Sequence, residues 1–85
     1  MNVNPVDLKL LKDCGYRYLV ARKNINHVIT THENLYDAAL DLFGFSMSNV
    51  SVGIYDLELD RYLEPKEYEE EMKRVIEHQK EIGCL

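Results

Sequence analysis

Cysteine, proline and glycine are all scarce in this 85-residue sequence, at two, two and four residues. Cys14 and Cys84 lie near opposite ends and are too few for a disulfide scaffold, so idle thiols are the expected state. So little proline and glycine argues against a disordered or low-complexity chain. No apolar run approaches the ~20 residues that a membrane-spanning helix requires. The opening "MNVNPVDLKLLKD" has no basic start, long apolar run or small-residue cleavage site. No signal peptide is therefore expected, and the cytoplasm is the predicted location. There is no glycine-rich phosphate loop. Lysine and arginine are missing altogether between residues 24 and 60.

What is present suits one ordered domain over residues 1–85. Apolar residues make up 46% and charged residues 29%. A chain of this length has room for a single modest core. The formal net charge is −5, and it is unevenly spread. Residues 1–30 carry Asp7 and Asp13 against Lys9, Lys12, Arg17, Arg22 and Lys23. Residues 31–71 carry eleven acids against Arg61 and Lys66. An acidic surface of this kind repels nucleic acid and attracts basic partners.

The pattern along the chain predicts an α+β fold in the order α-β-β-α-β-α: a small antiparallel sheet of about three strands with helices packed on one face. Asn4-Pro5 is a helix start. Val6, Leu10 and Cys14 recur every fourth residue with Leu11 beside them, and Gly15 can close the helix in a left-handed turn. "YRYLVAR" alternates like a strand, "KNIN" is a turn, and "HVIT" is a second strand, which makes a hairpin of residues 16–30. Thr30 and Glu33 have capping-box spacing ahead of Leu35, Ala38, Ala39, Leu42 and Phe43, an amphipathic helix expected to stop at Gly44. Val50, Val52 and Ile54 alternate, and so do Leu57 and Leu59, one residue out of phase. Either a bulge near Gly53–Asp56 or a short helix over Asp56–Leu63 reconciles them. Pro65 opens a last helix with the stripe Tyr68, Met72, Val75, Ile76, Gln79 and Ile82.

The stretch "DLELDRYLEPKEYEEE" concentrates eight of the fifteen acids. Glu67, Glu69, Glu70 and Glu71 fall at the start of the last helix and complement its dipole, and Glu69–Lys73 and Glu70–Arg74 have the spacing of helical ion pairs. Asp56, Glu58, Asp60 and Glu64 lack that explanation. On a strand, Asp56, Glu58 and Asp60 share a face; on a helix, Asp56, Asp60 and Glu64 do. Glu33, Asp37 and Asp41 repeat the four-residue spacing in the preceding helix. These seven acids are the candidate partner-binding residues.

Other chemistry is poorly supported. His27, His32 and His78 lack the spacing of a metal box. Asp56-x-Glu58-x-Asp60 lacks the glycine and distal glutamate of a calcium loop. Cys14, at a helix C-terminus, is placed where its thiolate is disfavoured. "FSMSNVSVG" lacks the Asp-Ser-Leu attachment site of acyl carrier proteins. No enzyme activity, catalytic residue, metal or cofactor is expected. Tyr16 and Tyr18 beside Arg17, Arg22 and Lys23 form a small aromatic and basic patch, the weakest of three binding readings.

The expected function is that of a non-catalytic acidic module, an inhibitor or adaptor that covers a basic surface of a partner, for instance the nucleic-acid-binding surface of a nucleic-acid-processing enzyme. In size and charge the chain resembles the small acidic phage and mobile-element proteins that block host defence nucleases, anti-CRISPR proteins among them. That resemblance implies a partner protein, and the net charge of −5 predicts no tight direct binding of nucleic acid; no membrane contact is expected. The alternative is a homo-oligomeric structural or regulatory domain pairing through Tyr68, Met72, Val75 and Ile76. A monomer or weak dimer is expected.

Overall fold

In the computed structural model, residues 5–23, 27–46 and 51–83 are described. Helix α1, Pro5–Asp13, ends as the sequence predicts. Gly15 takes φ +92°, Gly15 N donates to Lys12 O, and Tyr16 N donates to Leu11 O, which satisfies the last carbonyls of the helix. Strand β1, Tyr18–Arg22, and strand β2, His27–His32, form the expected hairpin. The turn residues Asn24 and Asn26 lie outside the described residues, as do Val50 and Cys84. Helix α2 spans Leu35–Ser46 and strand β3 spans Val52–Asp56. Strand β4 is only Arg61–Tyr62, and helix α3, Glu69–Glu81, follows a single 3₁₀ turn at Pro65–Glu67.

The sheet is antiparallel in the order β2-β1-β3-β4, so β2 and β4 are its edges. Alternation in β1 and β3 builds two clusters. Tyr18, Val20 and Ile54 join Ala38, Leu42 and Leu63, with Leu35, Tyr68 and Met72 packed against them, so α2 and α3 cover this face. Leu19, Tyr55 and Leu57 point the other way and take Leu8 and Leu11 of α1. The α+β class and helix-on-sheet packing hold, with α1 on the face opposite α2 and α3.

Local expectations needed correction in five places. In α1 the inward residues are Leu8 and Leu11, while Leu10 and Cys14 are exposed. The proposed capping box at Thr30–Glu33 does not form, because β2 continues through His32. Its place is taken by Asn34, whose Oδ1 accepts the Asp37 backbone N–H at 2.9 Å. Gly44 does not stop α2, which runs on to Ser46. Neither the bulge nor the short helix after Gly53 exists: β3 ends at Asp56, and residues 57–60 turn the chain into the unforeseen strand β4. The helix expected from Pro65 is broken into the 3₁₀ turn and α3.

Candidate functional site

The candidate acids divide into those that neighbouring groups engage and those left to solvent. Asp56 belongs to the first set. It is only 1% exposed. Its Oδ1 accepts the backbone N–H of Glu58 at 2.8 Å and of Leu59 at 3.2 Å, which ties down the turn. Arg17, on the neighbouring strand side, donates from Nε to Oδ1 and from Nη2 to Oδ2 at 3.3 and 3.2 Å. The Nη1 of Arg17 reaches Glu58 Oε2 at 3.1 Å. Hydrogen bonding to Asp56 raises the Arg17 pKa above its already high ordinary value. The side chains of Asp56, Glu58 and Asp60 therefore do not line one strand face. Asp56 points inward, and the turn presents Glu58, Leu59 and Asp60 outward.

Asp60 adopts φ +57°, a left-handed conformation that Asp tolerates better than most residues. Its Oδ1 accepts the Tyr55 hydroxyl. Burial first, and this hydrogen bond second, push the Tyr55 phenol up to about 12. Tyr55 also meets Tyr62 edge to face, with ring centroids 5.2 Å apart. Glu64 is exposed, and its backbone N–H donates to Glu67 Oε2 at 3.3 Å. Glu67 is held by both terminal nitrogens of Arg61, at 2.9 Å each. This pairing lowers the Glu67 carboxyl below its usual range.

The acids of α3 are likewise compensated. Lys73 lies 3.9 Å from Glu69 and 3.7 Å from Glu70, as weak surface pairs. Arg74 takes Glu71 at 3.0 Å rather than the Glu70 expected from spacing. Its guanidinium sits 5.3 Å from the Tyr36 ring, and Tyr36 Oη is 2.9 Å from His78 Nδ1. α3 thus docks on α2 through both polar and apolar contacts.

Glu33, Asp37 and Asp41 are different. Glu33 and Asp37 are exposed, and Asp41 is half-buried. Asp37 and Asp41 are one turn apart on α2 and share a helix face. Glu33 lies just ahead of the helix rather than within it. Among the described residues, no lysine or arginine pairs with any of the three. Asp37 accepts only a neutral amide, that of Asn34 at 2.9 Å. Asp41 Oδ2 is 2.8 Å from His32 Nε2, which is also 2.9 Å from Thr30 Oγ1. Facing a carboxylate, that nitrogen carries the proton and donates it. The His32–Asp41 contact sets the acidic face of α2 beside β2, an edge of the sheet.

The other expected surfaces are partly consumed by the fold. Val75 is fully buried, and Tyr68 and Met72 pack on the core. Tyr68 and Met72, with Pro65, Lys66, Glu69, Lys73 and Ile76, also line a shallow groove of about 530 Å³. In the hairpin, Tyr18 is buried, Arg17 is engaged by Asp56, and Lys23 lies over the Tyr62 ring at 5.6 Å. Among the described residues, no group of three or more His, Cys, Asp or Glu is arranged to hold a metal ion. No helix among them is long and apolar enough to cross a membrane.

Sequence reasoning missed Arg17 as the clamp on Asp56, Tyr55 as the partner of Asp60, and His32 as the partner of Asp41. Only the last had a signal, a histidine near the start of the acidic helix. Compared with protein-family models, curated proteins and solved structures, the chain matches none.

Proposed function

We propose that the chain is a non-catalytic acidic binding module whose working surface is Glu33, Asp37 and Asp41, facing a basic surface of a partner protein. What supports this reading is the contrast in compensation. Arg17, Arg61, Lys73 and Arg74 engage Asp56, Glu58, Glu67, Glu69, Glu70 and Glu71, while among the described residues Glu33 and Asp37 have no cationic partner and Asp41 has only the His32 imidazole. Leaving like charges one turn apart costs a few tenths of a kcal/mol, which an opposing cationic surface recovers on binding. Glu58, Asp60 and Glu64 are exposed as well, Glu58 and Asp60 in the turn after Asp56, at the same end of the strands as His32. Asp56 is assigned to the fold. A basic groove that ordinarily holds nucleic acid is the natural counterpart, with carboxylates standing in for phosphates and association accelerated by charge. An inhibitor or adaptor acting in this way matches the phage anti-defence class that the chain resembles in size and charge.

The test is capture from a host lysate with and without nuclease treatment, followed by competition between the chain and duplex DNA for the captured protein. The expected result is nuclease-resistant capture and displacement of DNA. The pair Glu33→Gln and Asp37→Asn is expected to weaken binding about tenfold and to flatten its salt dependence. The triple change Glu69→Gln, Glu70→Gln, Glu71→Gln is the control and should change little. Capture that needs nucleic acid, or equal effects of the two variant sets, would overturn the proposal.

A further inference from the structure

We infer that β2 is a docking edge for an extended basic segment, which adds to the sheet as a fifth strand beneath the acidic face of α2. This rests on the proposed basic partner and names how that partner is held. β2 is one edge of the sheet. Its sequence, His27–His32, contains no lysine, no carboxylate and no proline, the residues that commonly blunt an edge against further pairing.

Hydrogen-bond phase identifies which backbone groups are open. Flanking β1, Leu57 N donates to Arg17 O and Lys23 N donates to Ser51 O on the β3 side, while Arg17 N donates to His32 O, which turns the His32 carbonyl toward β1. Alternation between these ends sets Leu19 and Ala21 toward β3 and Tyr18 and Val20 toward β2. Their partners in the register are His32 and Thr30. Thr31, between them, turns its N–H and C=O away from the sheet. The irregularity opposite Val20/Ala21 leaves Ile29 without a partner in the register, so the regular dockable stretch is Thr30–His32.

Charge selects the occupant. His32 and Thr30 lie on the α2 side of the sheet, and Asp41 reaches down to His32. A strand added outside β2 would run alongside Asp41 and Asp37. Every second side chain of that strand points toward α2, so lysine or arginine at alternate positions meets the two carboxylates. A second copy of this chain fits less well, because pairing β2 with β2 brings the Asp37 and Asp41 pairs of both copies toward one another. The recognition is strand addition, with backbone bonds supplying affinity and alternate side chains supplying selectivity.

The probe is a synthetic eight-residue peptide alternating lysine with valine or threonine, compared with its glutamate counterpart and with unstructured polylysine. The expected result is binding of the lysine peptide, slowed hydrogen exchange at the Thr31 amide, and no binding of the glutamate peptide. Thr31→Pro removes an outward N–H without removing a bond to β1. It should weaken the peptide at least tenfold while circular dichroism stays unchanged. Thr31→Val keeps the N–H and should bind as the parent does, which separates a blocked edge from a disturbed fold. Binding by Thr31→Pro equal to Thr31→Val, with Glu33→Gln/Asp37→Asn still weakening it, would overturn the edge and leave the acidic surface standing. No binding of either basic probe would overturn both. A concentration-dependent dimer that Thr31→Pro abolishes would assign the edge to a second copy and overturn the basic segment.

Discussion

Arg17 grips Asp56 across 39 residues of chain, and the carboxylate it holds is the most buried charged group among the described residues. A single arginine thereby converts the first acid of the most acidic stretch from a surface feature into a structural one. A buried carboxylate is tolerated because four donors converge on it: two from Arg17 and the backbone N–H groups of Glu58 and Leu59.

Asp56→Ala is accordingly expected to cost about 3 kcal/mol, since it strips the turn of its acceptor and leaves Arg17 with only the exposed Glu58 carboxylate. Asp56→Asn keeps one acceptor for the turn and should cost less. Arg17→Met should cost about 1–2 kcal/mol, because the guanidinium is half exposed and water replaces part of it. Glu58→Gln should change stability by less than about 0.5 kcal/mol. Urea unfolding monitored by circular dichroism measures all four, and an Asp56→Ala protein as stable as the parent would contradict the buried clamp.

Four tyrosines give an alkaline limit to stability. Burial raises Tyr18, Tyr62 and Tyr68, and it raises Tyr55 to about 12. A phenol whose folded pKa lies above its unfolded value near 10 keeps its proton longer in the folded state. Its contribution is complete below pH 10 and is lost as pH rises through the folded pKa. For Tyr55 alone that is about 2–3 kcal/mol between pH 10 and 12. Absorbance titration of tyrosinate should show part of the tyrosine titrating late and together with unfolding. Tyr55→Phe should remove part of the alkaline loss.

Val75 is the one fully buried side chain of α3. Val75→Ala is expected to destabilise the fold by about 2 kcal/mol, and Ile82→Ala, at an exposed site, by less than about 0.5 kcal/mol. If α3 instead paired with another copy through this stripe, Val75→Ala would lower an association constant measured by light scattering. A monomeric parent that loses stability at Val75 but not at Ile82 supports intramolecular docking.

The regular elements were legible where periodicity spoke without competition. Ala38, Ala39 and Leu42 are buried as their spacing requires, and Gly15 takes the left-handed turn expected of it. Legibility failed where a tertiary partner overrode a local signal. Thr30 and Glu33 have capping spacing, yet pairing with β1 draws Thr30 and His32 into a strand. Leu57 and Leu59 look equivalent in sequence, but Leu57 joins the core and Leu59 is 49% exposed at the turn. Their phase is set by Asp56, whose orientation depends on Arg17 far upstream. For the candidate site, the charge gap between residues 24 and 60 was visible at once. Which acids remain uncompensated was not, because compensation is decided by contacts across the sheet.

The strand order has a consequence for synthesis on the ribosome. β1 is central, with the hairpin partner β2 on one side and β3 on the other. β2 is available almost immediately, but β3 emerges only after all of α2 has been made. Until then one edge of β1 is unpaired and Arg17 has no counter-ion. A chain interrupted before residue 52 leaves the apolar strand β1 itself as an edge beside β2, and is the species most exposed to aggregation. Late pairing of this kind also slows folding relative to the hairpin alone, because a long loop must close before Asp56 reaches Arg17.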